Sequence, residues 1–356
     1  MLRWRVFGFM RMSLALAVMF SHLVPFMAGQ LNWLGHYAVW SFFCLSGYLM
    51  TLVLNQRYGF GSDGLLRYAA NRALRIYPPY LVALAAMTGL LALRPDWTAV
   101  LTHTGLPYVA GDWIRNVALL DLNSRMLPAP ILPASWSLSI ELYYYVLMAL
   151  LLSRSRVTVL LWLVAAVTWA AWANTTGVAA HLRVTSPAAC ALPFALGATV
   201  YFVGQLFSPS PTEPRAAHSQ LPNWLLPLAV VVALVNAGTA WTWPDLYSTP
   251  LLLHAAASSA VILALAGVAR PKATSIMTRL DRQLGDLSYP LFLLHMPVSI
   301  VVAAALATFT ESDLGLGERP ALFVLAVPVV LMVSLLLRRV VELPVEKLRR
   351  RVARSG

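Results

Sequence analysis

The sequence contains little of what a water-soluble or metal-binding protein needs. Only 11% of its 356 residues are charged, and only two are cysteines. Cys44 and Cys190 both fall in apolar segments without a CxxC-type partner, so neither a disulfide framework nor a zinc site is indicated. No HxxxH, HExxH or Cys-His cluster occurs, and we expect no bound metal. Internal repeats and low-complexity tracts are also absent, which weakens the case for a symmetric transporter.

Acidic residues are scarce as well, with 14 Asp and Glu against 26 Lys and Arg, a net charge of +12. The arginines lie between apolar segments and form no single basic face, so we expect no nucleic-acid partner. Hydrophobic residues are abundant instead. They make up 59% of the chain, and the mean hydropathy is +0.70, well above the roughly half apolar composition of soluble domains. The lipid bilayer is therefore the expected environment.

Apolar runs long enough to cross a hydrocarbon core of about 30 Å predict an all-α, polytopic integral membrane protein with about ten transmembrane helices. No stretch between these runs is long enough for a separate soluble domain, so we expect one domain over residues 1–356. The predicted spans are Phe9–Ala28, Tyr37–Leu54, Ile76–Leu93, Trp136–Ser153, Val157–Ala173, Pro187–Phe207, Asn223–Trp241, Thr249–Ala269, Tyr289–Phe309 and Pro320–Leu337.

Positive residues predict the orientation, because Lys and Arg near the ends of short loops stay on the cytoplasmic side. One set of alternate loops, counted with the N-terminal side, holds all but five of the 26 basic residues. We therefore expect both termini in the cytoplasm. The outer segment Arg94–Ser135 is long enough to cover a site, and the inner segment Ser208–Gln220 has the composition of a flexible linker. The five exceptions are Arg94, Arg115, Arg125, Arg183 and Arg319.

Arg11 and His22 are candidates for donor binding and catalysis in the first span. They are eleven positions apart, which on a helix leaves an angular offset of only ~20° and an axial separation of ~16 Å. An arginine near the cytoplasmic surface could hold a phosphate-bearing donor while a histidine works deeper in the membrane. The alternative is that Arg11 anchors the helix and His22 makes a structural hydrogen bond between helices.

Arg72 and Arg75 form an RxxR pair in the segment NRALRIYPPY. Residues at i and i+3 share a helix face, and Pro78 and Pro79 are expected to interrupt that short helix soon afterwards. Guanidinium groups bind phosphate with paired hydrogen bonds, and CoA carries a pyrophosphate and a 3′-phosphate. A cytoplasmic loop rich in arginine needs no ligand, so a topological anchor is the alternative.

Glu141 in SWSLSIELYYY lies roughly two turns inside the predicted membrane edge at Trp136, where a carboxylate needs a partner. Glu141 and His22 are both expected in the outer half of the membrane, so contact between them is possible. His254 and His295 also fall within spans, but neither has a charged partner at a helical spacing. For both of them we expect a structural role.

Six segments in this order resemble the membrane acyltransferase-3 family, the O-acyltransferases of bacterial surface polysaccharides and lipopolysaccharide. The resemblance spans nearly the whole chain. The segments are Arg11 to His22, which fits the family's Arg/Lys-x10-His pattern; FFCLSGYLMT (42–51); the RxxR pair; SWSLSIELYYY (135–145); LGDLSYPLFLLHMP (284–297); and VELPVEK (341–347).

The resemblance implies a ten-helix transferase unit in the bacterial inner membrane, with key roles for the matched His, Arg and Glu positions. Acetyl-CoA or another acyl-CoA is the implied co-substrate. The acceptor is a hydroxyl of a carbohydrate or glycolipid, such as an exopolysaccharide, O-antigen or lipid-linked oligosaccharide. Because the sequence ends at Gly356, we expect no appended SGNH-type domain.

The mechanism we expect has His22 as general base and Glu141 orienting it, while Arg11, Arg72 and Arg75 hold the nucleotide end of the donor. A covalent acyl-enzyme on His22 or a nearby serine uses the same residues, and the sequence leaves both routes open. Two other functions explain the buried charge: a transporter or flippase for a glycan or small solute, and a non-catalytic subunit of a polymer-export complex.

Overall fold

The computed structural model describes residues 7–23, 28–98, 105–122, 130–206, 225–239, 249–267, 275–310 and 320–352. Within these ranges the secondary structure is helical and contains no strand. The helices are α1 Gly8–Leu23, α2 Ala28–Val53, α3 Ser62–Leu93, α4 Pro95–Thr98, α5 Ala110–Ala118, α6 Ser135–Leu147, α7 Arg156–Thr175, α8 Leu182–Thr185, α9 Pro187–Leu206, α10 Leu225–Thr239, α11 Thr249–Gly267, α12 Ile276–Thr310, α13 Pro320–Leu337 and α14 Leu343–Val352.

The all-α polytopic architecture predicted from the sequence is confirmed. In the described ranges, eight helices are long and apolar enough to cross a membrane, and each coincides with a predicted span. The first and seventh predicted spans correspond to the shorter apolar helices α1 and α10. The predicted linker Ser208–Gln220 lies outside the described residues.

Three helices, α2, α3 and α12, begin well before their predicted spans because polar residues and proline lie inside them. α2 begins nine residues before the predicted start at Tyr37, and α12 begins thirteen residues before Tyr289. The expected interruption at Pro78 and Pro79 was wrong, since α3 continues through both. Proline removes an amide donor but does not end a membrane helix whose freed carbonyls find other partners.

In the part of the chain that the structure describes, three helix ends carry a π-helical turn, in which the hydrogen bond spans five residues. The turns cover Leu54–Tyr58 after α2, Met148–Leu152 after α6, and Arg338–Glu342 between α13 and α14. The third one joins the last apolar helix to a short basic helix. π turns of this kind are frequent at functional sites.

The chain divides into two compact units, both built from separated segments. The first unit contains residues 1–14, 36–65 and 143–285, and the second contains residues 15–35, 66–142 and 286–356. In the first unit α9 packs against α7 and α11, and α11 also packs against α10.

Small residues allow α2 and α9 to approach closely in the first unit. A Cβ atom on Gly47 would lie 2.2 Å from the carbonyl oxygen of Phe194, and one on Gly197 would lie 1.9 Å from that of Cys44. The ring of Phe194 stacks on Phe43 with a centroid distance of 4.8 Å. Close backbone contact through glycine is a usual way for membrane helices to associate, because lipid supplies no hydrophobic driving force between them.

The second unit contains the end of α1, most of α3, the start of α6, α12 from Asp286 onward, and α13 with α14. Phe20 of α1 meets Phe323 of α13 edge-on at 5.1 Å. The hydroxyl of Tyr289 on α12 donates to the backbone carbonyl of Ile76 on α3 at 2.9 Å. His22, Arg72, Arg75 and Glu141 all belong to this unit.

Candidate active site

Two histidines from opposite ends of the sequence meet in the second unit. Nδ1 of His22 on α1 lies 2.8 Å from Nε2 of His295 on α12, and the two rings are parallel with centroids 5.0 Å apart. His295 is only 1% exposed, whereas His22 is partly exposed. The more accessible ring of the pair is therefore the predicted catalytic histidine.

The backbone determines the direction of these hydrogen bonds. Nδ1 of His295 lies 2.7 Å from the carbonyl oxygen of Phe292, which can only accept. His295 therefore carries its hydrogen on Nδ1, and in the neutral ring its Nε2 is an acceptor. Nδ1 of His22 must then be the donor. In neutral His22 this leaves Nε2 as the nitrogen with a lone pair, so Nε2 is the basic atom.

This arrangement fits a general base whose orientation is fixed by a second residue. In a Ser-His-Asp triad a carboxylate accepts from the histidine Nδ1–H, which fixes the tautomer and stabilises the imidazolium. Nε2 of His295 accepts from the same atom of His22. The partner is neutral, so it fixes the tautomer as a carboxylate would but stabilises the imidazolium less.

Glu141 lies on α6 and is partly exposed. The role expected from the sequence is orientation of His22. An orienting carboxylate would accept from Nδ1 of that ring, and Nδ1 is the atom that is bonded to His295. Orientation by Glu141 stays a prediction.

The serines of the SWSLS segment hold the preceding loop against the start of α6. Ser135 donates to the carbonyl of Leu132 at 2.7 Å, and Ser137 donates to that of Ala134 at 2.9 Å. The hydroxyl of Ser139 accepts from the amide of Leu122 at 3.4 Å. Buried hydroxyls in such positions satisfy backbone groups that would otherwise be costly to bury.

Arg75 on α3 pairs with a carboxylate from the end of the chain. Its Nη1 lies 3.1 Å from Oε1 of Glu342 in the last π turn, and its guanidinium lies over the ring of Tyr289 at 5.4 Å. The two charged side chains are 21% and 9% exposed. This contact joins two of the segments that carry the family resemblance, the RxxR pair and VELPVEK.

Arg72 points to a different partner. Its Nη2 donates to Oδ1 of Asn71 at 2.9 Å, and Nη2 of Arg349 on α14 donates to the same oxygen at 3.2 Å. The side-chain amide of Asn71 in turn donates to the backbone carbonyl of Arg349 at 3.3 Å. The two arginines of the RxxR pair therefore have distinct surroundings.

Arg11 lies on α1 in the first unit and is partly exposed. The same unit contains a buried polar group around His254, whose Nε2 lies 2.9 Å from the hydroxyl of Ser41. Ser258 contacts that hydroxyl at 2.8 Å. These contacts join α2 to α11 and have the form of interhelical hydrogen bonds in membranes. Among the described residues no cluster of three His, Cys, Asp or Glu side chains could hold a metal.

Comparison with known families decides the class of the protein. The family model Acyl_transf_3, described as an acyltransferase domain, matches residues 7–339. The chain belongs to the acyltransferase-3 family. No curated protein and no solved structure shows significant similarity to it. As a multi-pass membrane acyltransferase, the protein is better described by the enzyme hypothesis than by the transporter or export-subunit alternatives.

Sequence reasoning gave His295 no partner, because its contact is with a residue 273 positions away. The available signal was weak: a histidine within the LLHMP segment of the family resemblance. In the sequence, Glu342 belongs to the VELPVEK segment and Arg349 counts only among the basic residues that predict the orientation. Their contacts with Arg75 and Asn71 depend on how α14 continues from α13.

Proposed function

We propose that this acyltransferase is an O-acetyltransferase of the bacterial inner membrane, which moves an acetyl group from acetyl-CoA to a hydroxyl of a carbohydrate or glycolipid acceptor. The observation that supports it is the relay from the Phe292 carbonyl through His295 to His22. This relay makes Nε2 of a partly exposed, membrane-embedded histidine basic, as transfer to a hydroxyl requires.

In the proposed step, Nε2 of His22 removes the proton from the acceptor hydroxyl as its oxygen attacks the thioester carbonyl. The carbon–oxygen bond of the ester forms and the carbon–sulfur bond breaks. The imidazolium of His22 then returns its proton to the thiolate, so that the products are the ester and a free thiol. During the step His22 is positively charged, and its bond to His295 becomes charge-assisted and therefore stronger.

The donor would bind from the cytoplasm, with Arg72 and Arg75 of the second unit as the proposed phosphate ligands, and the role of Arg11 stays a prediction from the sequence. Arg75 already pairs with Glu342, so a phosphate must either displace that carboxylate or share the guanidinium of Arg75 with it. Binding of the donor is therefore expected to weaken one contact between α3 and the last π turn.

The first experiment measures the free thiol that purified protein releases from acetyl-CoA when an acceptor glycan is added. His22→Gln should lower kcat about 10² to 10⁴-fold, as loss of a general base does. The variant should remain monodisperse. Near-normal transfer by folded His22→Gln would exclude His22 from the mechanism.

Two further measurements test the acceptor and the route. Surface glycans from cells lacking the gene should be present but without their ester groups, whereas an export subunit predicts loss of the polymer. Single-turnover trapping with labelled acetyl-CoA and no acceptor separates the two routes. A label that stays on the protein indicates an acyl-enzyme, and its absence favours direct transfer.

The orientation is tested by reporter fusions. A fusion after Gly356 or within residues 208–220 should report the cytoplasm, and one within residues 105–122 should report the outer side. Reversed labels would contradict the proposed cytoplasmic entry of the donor.

A further inference from the structure

The short helix α5, in the second unit, is amphipathic in the opposite sense to a surface helix of a soluble protein. Its polar residues Asp112 and Asn116 are buried, with 8% and 3% of their surface exposed. Ile114 and Val117 on the opposite face are 63% and 47% exposed. A helix that borders water turns its apolar stripe toward the core instead. The exposed face of α5 therefore needs an apolar partner.

Hydrogen bonds from Asn116 hold the polar face of α5 against its own unit. Oδ1 of Asn116 accepts from the backbone amide of Ile131 at 2.9 Å. The backbone carbonyl of Asn116 accepts from the hydroxyl of Tyr80 on α3 at 2.5 Å, and that of Ala118 accepts from the hydroxyl of Tyr77 at 2.9 Å. The polar side of α5 therefore fixes its orientation, and the apolar side points away from the unit.

The two tyrosines also give the position of α5 along α3. Tyr77 and Tyr80 lie at the start of the apolar run Ile76–Leu93, the part of α3 predicted to cross the membrane. The later residue of α5 bonds to the earlier tyrosine, so α5 runs back along α3. Leu93, where α3 ends, is thirteen residues beyond Tyr80, or ~20 Å along the helix axis. α5 therefore lies beside the membrane-crossing part of α3.

The C-terminal end of α5 is suited to surroundings without water. The last four carbonyls of a helix have no partner within it, and lipid offers them none. Tyrosine hydroxyls bond to two of these carbonyls in α5, those of Asn116 and Ala118. The amide of Leu120 donates to a third, that of Arg115, at 2.9 Å. A helix end satisfied in this way can be buried in a membrane.

The two charged residues of α5 face each other on its flank. Nη1 of Arg115 lies 4.0 Å from Oδ1 of Asp112, one helical turn before it. Ionisable side chains at membrane depth pair with one another and turn away from lipid. The charge of α5 is therefore compatible with an apolar environment on the opposite face.

We propose that α5 is a re-entrant helix whose outward face contacts the acyl chains of membrane lipids. The segment after α3 re-enters the bilayer from the side at which α3 ends, and Ile114 and Val117 face the hydrocarbon. Lipid is the partner that fits, because Leu81 and Val82, which follow Tyr80 on α3, are also exposed. The apolar face of α5 thus continues the lipid-facing surface of a membrane-crossing helix. This inference is independent of the proposed function.

The test places nitroxide spin labels on cysteines introduced at Ile114 and Val117 in the full-length protein in nanodiscs. Both native cysteines are buried, so the unsubstituted protein reports the background labelling. Collisions of each label with oxygen, which is concentrated in hydrocarbon, are compared with collisions with a water-soluble nickel chelate. At both positions the ratio of oxygen to nickel collisions should be several-fold higher than at a position in water.

Two labelled variants supply the reference values. Val324→Cys lies on the exposed side of α13 and represents lipid, and Asp96→Cys lies on exposed α4 in the same connecting segment and represents water. Ratios at 114 and 117 that match Val324→Cys support the proposal, and ratios that match Asp96→Cys would overturn it. Spin–spin broadening between copies in larger vesicles would also overturn it, since a second copy would then cover the face.

A stability measurement checks the same face without a label. Ile114→Glu should lower the melting temperature in nanodiscs by roughly 5 °C or more, because a carboxylate facing hydrocarbon is costly. Ile114→Leu is the matched control and should melt as the wild type does. Glutamate is a good helix former, so a face in water would tolerate it. Equal melting temperatures for the two variants would therefore contradict the contact with lipid.

Discussion

Replacing His295 separates the two hydrogen bonds that this side chain makes. Asparagine places its amide near the position of Nδ1, so it can keep the contact with the Phe292 carbonyl and lose the one with His22. Glutamine reaches the position of Nε2 and can still accept from His22. Phenylalanine fills the space and keeps neither bond. We expect kcat to fall in the order wild type, glutamine, then asparagine and phenylalanine.

The size of the loss follows from the charge that His22 gains during transfer. A neutral hydrogen bond contributes about 0.5–1.5 kcal/mol and one to a charged group about 1.5–3 kcal/mol, so about 1–2 kcal/mol is gained only in the transition state. Leaving the Nδ1–H of His22 without its acceptor adds about 1–3 kcal/mol. A total of about 2–5 kcal/mol corresponds to roughly 30- to 5 × 10³-fold in kcat for asparagine and phenylalanine. Glutamine should stay within about tenfold.

The assay is thiol release from acetyl-CoA in the presence of acceptor, normalised to monodisperse protein. KM for the donor should change by less than about twofold, because the lost interaction belongs to the transition state. His254→Asn is the matched control, since His254 is a buried histidine of the other unit, and its kcat should be unchanged. A wild-type kcat in folded His295→Phe would refute the claim that the hydrogen bond to His295 supports His22 as the general base.

Glu141→Gln should lower kcat by about tenfold or more without raising KM for the donor, if its charge acts in the transition state; unchanged kcat in thiol release would give it a structural role. Glu342→Gln should lower the free energy of unfolding by about 1–3 kcal/mol, because the half-buried charge of Arg75 loses this carboxylate. Adding Arg75→Gln should cost less than the sum of the two single changes, and additive losses in melting experiments would mean that the pair is uncoupled. Gly47→Ala should lower the free energy of unfolding by about 1–3 kcal/mol, because its methyl group meets the Phe194 carbonyl. Gly89→Ala, with open space around it, should be neutral or stabilising. Equal melting temperatures for the two variants would contradict the close crossing of α2 and α9.

Hydropathy predicted the class of the fold because the bilayer imposes one length on every crossing helix. It predicted helix ends poorly where a helix continues beyond the apolar run. Residues 276–288 at the start of α12 include Arg279, Asp281 and Arg282, and a hydropathy threshold excludes them. Pro78 and Pro79 were expected to end a helix, yet the tertiary setting of α3 accommodates both.

For the candidate site, sequence spacing related residues that share a helix, such as Arg72 with Arg75. It had no means of relating His22 to His295, or Arg72 to Arg349, because these contacts depend on how distant helices pack. The order of motifs supplied by the family resemblance placed all these segments in one enzyme. It did not indicate which ring nitrogen of His22 is basic, and that conclusion required the Phe292 carbonyl.

The π turn at Arg338–Glu342 determines the register of α14. A π turn holds one residue more than an α turn, so it rotates everything after it by about 100° relative to an uninterrupted helix. With that rotation Glu342 contacts Arg75 and Arg349 contacts Asn71. Removing a single residue here would turn Arg349 away from Asn71, even if the exposed Val340 were the one deleted. The number of residues in this segment should therefore matter more than the identity of the exposed ones.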